Sequence, residues 1–206
     1  MKRLKFNRAV GKRLLGRPKS KDQSGFTLLE LLVTLAIAAI VTAMAAPGFS
    51  ALIDSNRLTA AYNGFVGELT FARSEAVKRS TTVAICSSSD AASCNSNGWE
   101  NGRLVFVDGD ADGDLDEGEE LIKIFPATPG DLTLRTSALS DAGAVIFQAD
   151  GTITDAGTLF LCDDRGASYA KGVTLSIIGQ PQLAYDTDET PNGTIDDADG
   201  GEVSCP

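Results

Sequence analysis

Histidine does not occur among the 206 residues of this chain. The common Ser-His-Asp and Cys-His catalytic arrangements therefore cannot form. Zinc sites usually combine histidine with cysteines at Cys-x-x-Cys spacing, and that spacing is missing as well. Acidic residues are plentiful, but such residues more often form a solvated face than a catalytic centre. We therefore expect a protein that is not an enzyme and that requires no cofactor.

Basic residues are scarce beyond the N-terminal segment. Nine of the 18 lysine and arginine residues precede residue 26, where Asp22 is the only acid. The rest of the chain carries nine basic residues against 27 acidic ones, a formal net charge of −18. A surface of this sign repels polyanions unless a local basic patch forms, so a nucleic-acid partner is not expected.

One apolar run, Phe26 to Ala46, is long enough to cross a membrane. Its 21 residues compare with the ~20 that a helix needs to span a hydrocarbon core. The preceding basic segment would hold the N-terminus in the cytoplasm, which places the bulk of the chain across the membrane. A cleavable secretory signal ending at the small residues 43–46 is the alternative.

Glu30 is the only charge inside this run. A carboxylate in a membrane span costs about 3 kcal/mol on insertion scales and usually marks a functional contact. A plain anchor gains nothing from such a charge. Glu30 therefore indicates that the helix has a further role.

Together, Gly25, Phe26, Glu30 and Pro47 resemble the class III signal of type IV pilins and type II secretion pseudopilins. The resemblance implies that a prepilin peptidase removes a leader of residues 1–25 and methylates the new terminal amine of Phe26. The helix 26–46 would stay in the membrane until the subunit enters a filament. Phe26 and Glu30 would act in assembly, because Glu30 can pair with the terminal amine of a neighbouring subunit.

Helical periodicity continues beyond Pro47, and proline more often kinks a membrane helix than ends it. Residues 47–80 are expected to form an amphipathic helix that continues into the following domain. That domain would cover the apolar stripe of the helix. The stripe comprises Phe65, Leu69, Ala72 and Ala76.

Residues 81–206 form short β-branched and apolar runs separated by Gly, Asp, Ser and Pro clusters, which is typical of strands. Asp150-Gly151 is a favourable hairpin turn. Eight strands are predicted, at 81–86, 103–107, 121–125, 132–136, 144–147, 158–162, 173–178 and 182–185. The expected fold is α+β and pilin-like, with a long N-terminal helix packed against a C-terminal antiparallel β-sheet head.

All four cysteines lie in the part of the chain that should be periplasmic. An even number in an oxidising compartment predicts two disulfides, although four cysteines permit three pairings. Proximity favours Cys86 with Cys94, which leaves Cys162 with Cys205 as a clamp on the C-terminal tail.

Residues 108–119 match the Asp-x-Asp-x-Asp-Gly-x5-Glu pattern of a calcium loop at every defined position. Gly113 would make the sharp turn, and Leu115 takes the usual apolar eighth position. The flanking segments are predicted strands rather than helices, and a solvated acidic hairpin is the alternative. The possible calcium ligands are Asp108, Asp110, Asp112, the carbonyl of Asp114, and Glu119. A weaker match at 188–199 is expected to be a flexible acidic turn region.

A series of short segments runs in order through residues 71–77, 83–86, Trp99, Gly102, 105–108, 146–147, Gly151 and 161–162. This series is similar to the GspH/FimT family of minor pseudopilins and minor pilins. The resemblance implies a minor subunit at or near the tip of a type II secretion pseudopilus or a type IV pilus. Its partners would be other major and minor subunits, the prepilin peptidase and the inner-membrane assembly platform. It would cross the bacterial inner membrane once, with a cytoplasmic N-terminus and a periplasmic head.

Some members of that family are associated with DNA uptake through a C-terminal Gly-Arg-x-Arg motif. The corresponding place in this chain reads Gly179-Gln180-Pro181-Gln182. Both arginines are missing, so phosphate neutralisation there is lost. A DNA-binding minor pilin for natural transformation is therefore the second hypothesis.

Overall fold

The structure is a computed structural model that describes residues 25–95, 98–137, 139 and 143–205. The predicted leader lies outside the described residues, apart from Gly25. The chain divides into two compact units, residues 1–46 and residues 47–206. Among the described residues, the first unit contains the apolar part of one long helix, and the second contains the rest of that helix and the strands.

Helix α1 spans Leu28–Arg79 and passes through Pro47, as the sequence predicts. It ends in a Schellman motif, in which the Thr81 amide donates to the carbonyl of Ala76 and the Ser80 amide to that of Val77. Ser80 takes the left-handed conformation that this motif requires, with φ 54°. The motif turns the chain directly into the first strand.

In the part of the chain that the structure describes, eight strands form two four-stranded antiparallel sheets, which confirms the predicted antiparallel head. The first sheet has the order β3-β2-β1-β5 and the second the order β4-β6-β7-β8. The strands are β1 Val83–Ser87, β2 Arg103–Val107, β3 Leu121–Phe125, β4 Thr133–Ser137, β5 Ala144–Phe147, β6 Gly157–Cys162, β7 Lys171–Leu175 and β8 Pro181–Leu183.

The main core lies where both sheets pack on the apolar stripe of α1. Phe65, Leu69, Ala72 and Ala76 are all buried there, as predicted. Alternate residues of the strands face the same core, because successive side chains of a strand point to opposite sides of the sheet. The strand residues in it include Val83, Ile85, Val105, Leu134, Val145, Phe147, Leu159, Leu161, Val173 and Leu175.

Each sheet also carries a smaller apolar cluster on its opposite face. Leu104, Phe106 and Ile146 form the cluster of the first sheet, which Cys94 and Leu115 cover from two loops. Phe160 and Ala170 belong to the cluster of the second sheet, where residues 195–205 of the C-terminal tail pack. Loops and tail therefore bury strand surface that the helix cannot reach.

The predicted strand 173–178 was too long at its C-terminal end. Strand β7 ends at Leu175, and residues 176–179 form a turn in which the Gly179 amide donates to the Ser176 carbonyl. Ile177 and Ile178 are consequently exposed. The strand was predicted too long because two consecutive isoleucines favour a strand. Gly179 has φ +70°, a conformation that glycine adopts easily, and it permits the turn instead.

Candidate functional site

The described part of the N-terminal unit starts with Gly25, Phe26 and Thr27, which precede the helix. Thr27 caps α1: its hydroxyl oxygen accepts a hydrogen bond from the Glu30 amide at 3.2 Å, and its carbonyl accepts one from Leu31. Threonine is a favoured residue at this position because it pairs an amide that the helix leaves unpaired. This cap was not among the predictions from the sequence, although a Thr followed three residues later by Glu is the usual signal.

Glu30 lies in the first turn of α1, with an exposed side chain. A negative charge there interacts favourably with the positive end of the helix dipole. Among the described residues, no donor lies within hydrogen-bond distance of its carboxylate. The structure thus places Phe26 and Glu30 together at one end of the helix, with the carboxylate available to an external partner.

The apolar surface of α1 is exposed along the N-terminal unit. Side chains such as Leu28, Leu32, Leu35 and Ile40 are each more than half exposed. In the described part of the chain, α1 is the one helix long and apolar enough to cross a membrane. Pro47 lies near the end of this region, and its side chain is outside the described set.

A buried ion pair fastens α1 to the head. Arg103, 4% exposed, donates from Nε to Oε2 of Glu68 at 2.5 Å and from Nη2 to Oε1 at 2.9 Å. The same guanidinium also donates to the carbonyls of Trp99 and Pro126 and to the hydroxyl of Thr128. The Arg103 guanidinium therefore connects three elements: helix α1, a short 3-10 helix at Trp99–Asn101 and the loop after β3.

Burial raises the pKa of Glu68 above its ordinary value, and the bonds from Arg103 oppose that shift. Burial is the larger effect. A bidentate arginine offsets part of the cost of burying a carboxylate, but not all of it. Nothing local in the sequence marks Arg103 as buried, so the sequence predicts only that it begins a strand.

Arg73 connects the C-terminal half of α1 to two turns of the head. Its Nε donates to the carbonyl of Gly151 at 2.8 Å, and its Nη2 donates to that of Ile178 at 3.3 Å. Gly151 has φ +82° in the predicted Asp-Gly turn. Gly179, where the Gly-Arg-x-Arg motif would begin, packs so closely on Gly151 that an added Cβ would lie 2.1 Å from its carbonyl oxygen.

The acidic loop, residues 108–119, connects β2 and β3. Carboxylate oxygens of Asp108, Asp110 and Asp112 lie within 4.8 Å of one another, so three of the predicted ligands converge. Glu119 lies at the other end of the loop and accepts hydrogen bonds from the amides of Gly109 and Asp116 at 2.6 and 3.0 Å.

Asp108 is fully buried, while Asp110 and Asp112 are exposed. Burial raises the pKa of Asp108, and the neighbouring charges of Glu119 and Asp112 raise it further, against the opposing bond from the Gly113 amide. Exposed Asp116 also has a raised pKa, mainly because of the charge of Asp112. Asp114 contributes an amide that donates to Asp112 at 2.9 Å.

The second acidic segment is held by a network of local hydrogen bonds. Asp186 accepts from the amides of Asn192 and Gly193, and Asp196, 3% exposed, accepts from Thr187. Burial and the charges of Asp196, Asp186 and Glu202 raise the pKa of Asp188. Asp186 lies just outside the weaker match, and its bonds, with those of Asp196, connect distant residues of this segment. The flexibility of the segment stays a prediction.

The four cysteines form disulfides Cys86–Cys94 and Cys162–Cys205, each with Cα atoms 5.7 Å apart. These are the pairs that the spacing favours. Their sulfur atoms are thus bonded to each other and are not available to a metal. Trp99 is a core residue, 1% exposed and edge-to-face with Phe65, as expected of an isolated aromatic, whereas Tyr185 is 64% exposed.

Residues 61–179, more than half of the chain, match the family model described as Type II transport protein GspH. The chain belongs to the GspH family. Residues 20–46 also match the prokaryotic N-terminal methylation motif, which covers the start of α1. No curated protein sequence is significantly similar to the chain.

Solved structures of two proteins resemble this GspH-family chain. The type IV minor pilin FimU of Pseudomonas aeruginosa is 23% identical, with 63% of this chain and 90% of FimU covered and a TM-score of 0.50. The minor pseudopilin EpsH from the type 2 secretion system of Vibrio cholerae is 12% identical, with 64% and 99% covered and a TM-score of 0.43. The similarity to FimU shows a shared fold.

The predicted membership is therefore confirmed. GspH-family proteins are minor pseudopilins or minor pilins of type II secretion systems or type IV pili, and they assemble with other such subunits into filaments. Several residues that carry the resemblance make the contacts described above. Arg73 joins the helix to two turns, Trp99 fills the core, and Gly151 forms the hairpin turn.

Proposed function

We propose that this chain is a minor subunit that starts filament assembly, at or near the tip of a type II secretion pseudopilus or the equivalent type IV pilus. The observation that carries the proposal is an exposed apolar helix whose first turn holds one carboxylate with no partner among the described residues, on a chain that belongs to the GspH family. Such a helix gains stability by packing against other helices, in a bilayer or in a filament.

Processing after Gly25 would make Phe26 the N-terminal residue and create a positive amine next to the first turn. Glu30 of one subunit can pair with that amine on a neighbour. In a low-dielectric bundle the pairing removes much of the cost of burying the carboxylate, while the surrounding leucines supply packing without direction. Glu30 would therefore set the register of the new subunit.

The remaining partners follow from this pathway: the prepilin peptidase, the inner-membrane assembly platform, and other major and minor subunits. The basic leader places the N-terminus in the cytoplasm and the head in the periplasm. The two disulfides support an oxidising location for the head.

Mass spectrometry of the membrane-extracted protein tests processing. We expect the mature N-terminus to be N-methylated Phe26. An N-terminus after Ala46 would instead mean that the segment is an ordinary secretory signal, and the proposal would be wrong.

A deletion strain scored in parallel for exoprotein secretion, twitching and DNA uptake tests the role. We expect loss of secretion or of twitching, restored by the intact gene. The acidity of the head slightly favours secretion. Loss of DNA uptake with normal filament number and normal secretion would contradict an assembly role.

DNA binding has less physical support. The turn at residues 176–179 and strand β8 carry no basic side chain, and nearby Arg73 donates to backbone carbonyls. Phosphates would meet an acidic head there without compensating charge.

A further inference from the structure

The acidic loop contains a buried oxygen that has no hydrogen-bond donor in the described part of the chain. Asp108 is fully buried, and its Oδ2 accepts from the Gly113 amide at 3.1 Å, but its Oδ1 has no partner. A buried carboxylate oxygen is normally paired, because leaving it without a donor or a cation is costly. This oxygen therefore indicates a missing positive ligand.

Neighbouring carboxylates increase that requirement. Asp110 and Asp112 bring oxygens to within 4.8 Å of those of Asp108, and the loop from residue 108 to residue 119 holds no basic residue. Like charges this close repel one another unless a cation lies among them. The ion pair of Arg79 with Glu120 lies just beyond the loop in sequence and involves none of these carboxylates.

The backbone already brings the two ends of the loop together. Glu119 accepts hydrogen bonds from the amides of Gly109 and Asp116. These bonds connect the twelfth residue of the loop to its second and ninth residues. Gly113 is buried with φ +86°, the sharp turn that a calcium loop needs at its sixth position. Leu115 packs on Leu104 and Phe106 and so anchors the loop to the first sheet.

We propose that the acidic loop binds one calcium ion, with carboxylate oxygens of Asp108, Asp110, Asp112 and Glu119 and the carbonyl of Asp114 as ligands. Calcium accepts many oxygen ligands in flexible geometry, whereas magnesium demands a compact octahedron and keeps several waters. Zinc prefers nitrogen and sulfur ligands, and the cysteines are paired with each other.

The strands on either side do not prevent binding, because the ligands all come from the loop itself. The ion would offset the charge of four carboxylates and hold the loop over the outer face of the first sheet. The head should therefore be more stable when calcium is present, since a ligand that binds only the folded state stabilises it.

Calorimetric titration of calcium into the full chain in detergent tests the site. We expect one binding event assigned to this loop, with a dissociation constant in the range of about 10⁻⁴–10⁻³ M that is common for extracellular modules. The thermal midpoint of the head should be higher with calcium than with a chelator. Asp112→Ala, which removes a ligand, and Glu119→Gln, which removes the charge of another, should each weaken calcium binding at least tenfold. Both residues lie outside the apolar core, so these variants should fold, which circular dichroism would verify.

The matched control is Asp188→Asn in the second acidic segment, which should leave the calcium event of the acidic loop unchanged. The proposal is overturned by the absence of binding heat in the parent chain, or by binding that persists in both loop variants. Tighter binding of magnesium than of calcium would overturn the choice of ion.

Discussion

At the level of single residues, a few charged side chains determine how the head holds the helix. Arg103 satisfies a buried carboxylate, two carbonyls and a hydroxyl at once, and its guanidinium lies 5.8 Å from the centre of the Phe65 ring. A buried arginine with all these partners specifies one arrangement of helix, sheet and loop.

Arg103→Met should destabilise the head by about 3–5 kcal/mol, because it leaves Glu68 buried without its partner. Urea unfolding of a soluble fragment, residues 47–206, measures the loss. Adding Glu68→Leu should recover part of it, since the unpaired carboxylate is then gone while the carbonyls still lack a donor. An unchanged unfolding midpoint for Arg103→Met would contradict the role given to the pair.

Asp163 should contribute to the acid sensitivity of the head. Hydrogen bonds from Arg165 lower the pKa of Asp163 below its ordinary value of 3.8. A carboxyl whose pKa is lower in the folded state stabilises it above the unfolded pKa, and the contribution is lost as pH falls through the folded pKa.

Asp163→Asn should therefore lower the thermal midpoint of the fragment at neutral pH and flatten its decline below about pH 4. Arg165→Gln should flatten the decline in the same way, because it removes the donor. A decline as steep as that of the parent in both variants would show that the acid transition arises elsewhere.

At the level of secondary-structure elements, the end of α1 sets the direction of β1. Ser80 adopts a left-handed conformation that glycine takes without strain. Ser80→Gly should therefore stabilise the fragment by about 0.5–1 kcal/mol, measured by urea unfolding. The matched control Ser74→Gly, in the helical interior, should destabilise it by about 0.5 kcal/mol. Stabilisation by both variants would exclude the conformational explanation.

The elements themselves could be predicted because their signals are local. Alternating apolar residues define the strands, the stripe from Phe65 to Ala76 defines the covered face of α1, and Asp150-Gly151 marks a turn. The end of β7 was misplaced because the turn depends on the packing of Gly179 against Gly151, which are distant in sequence. The tie between Arg73 and these turns could not be predicted for the same reason.

The candidate sites also combine features that the sequence predicts with features that only the tertiary structure shows. The signal around Gly25 and Glu30 and the spacing of the acidic loop are sequence patterns, so they could be found before the structure. The burial of Asp108 is a property of the folded head, and the pairing of Glu68 with Arg103 spans 35 residues. Such contacts are set by tertiary packing.

At the level of the whole molecule, the chain combines an apolar helix with an acidic, disulfide-closed head. The N-terminal part of the helix has an extensive exposed apolar surface, whereas its C-terminal part shares a buried core with the two sheets. Exposed apolar surface of this extent requires either lipid or other helices. When the subunit moves from the bilayer into a filament, its helix leaves one apolar environment for another. Glu30 is the only charged residue between Phe26 and Ala46, so it is the residue whose interactions should differ most between the two environments.

The most direct test is the amount of this subunit in sheared filaments of cells that carry Glu30→Ala, compared with cells that carry the unchanged chain and with the surface control Glu117→Ala. Membrane levels and processing should be equal in all three. We predict at least a tenfold loss of the subunit from filaments for Glu30→Ala, about 1.4 kcal/mol or more of assembly free energy, and no loss for Glu117→Ala. Equal incorporation of Glu30→Ala and the unchanged chain would contradict the proposed pairing.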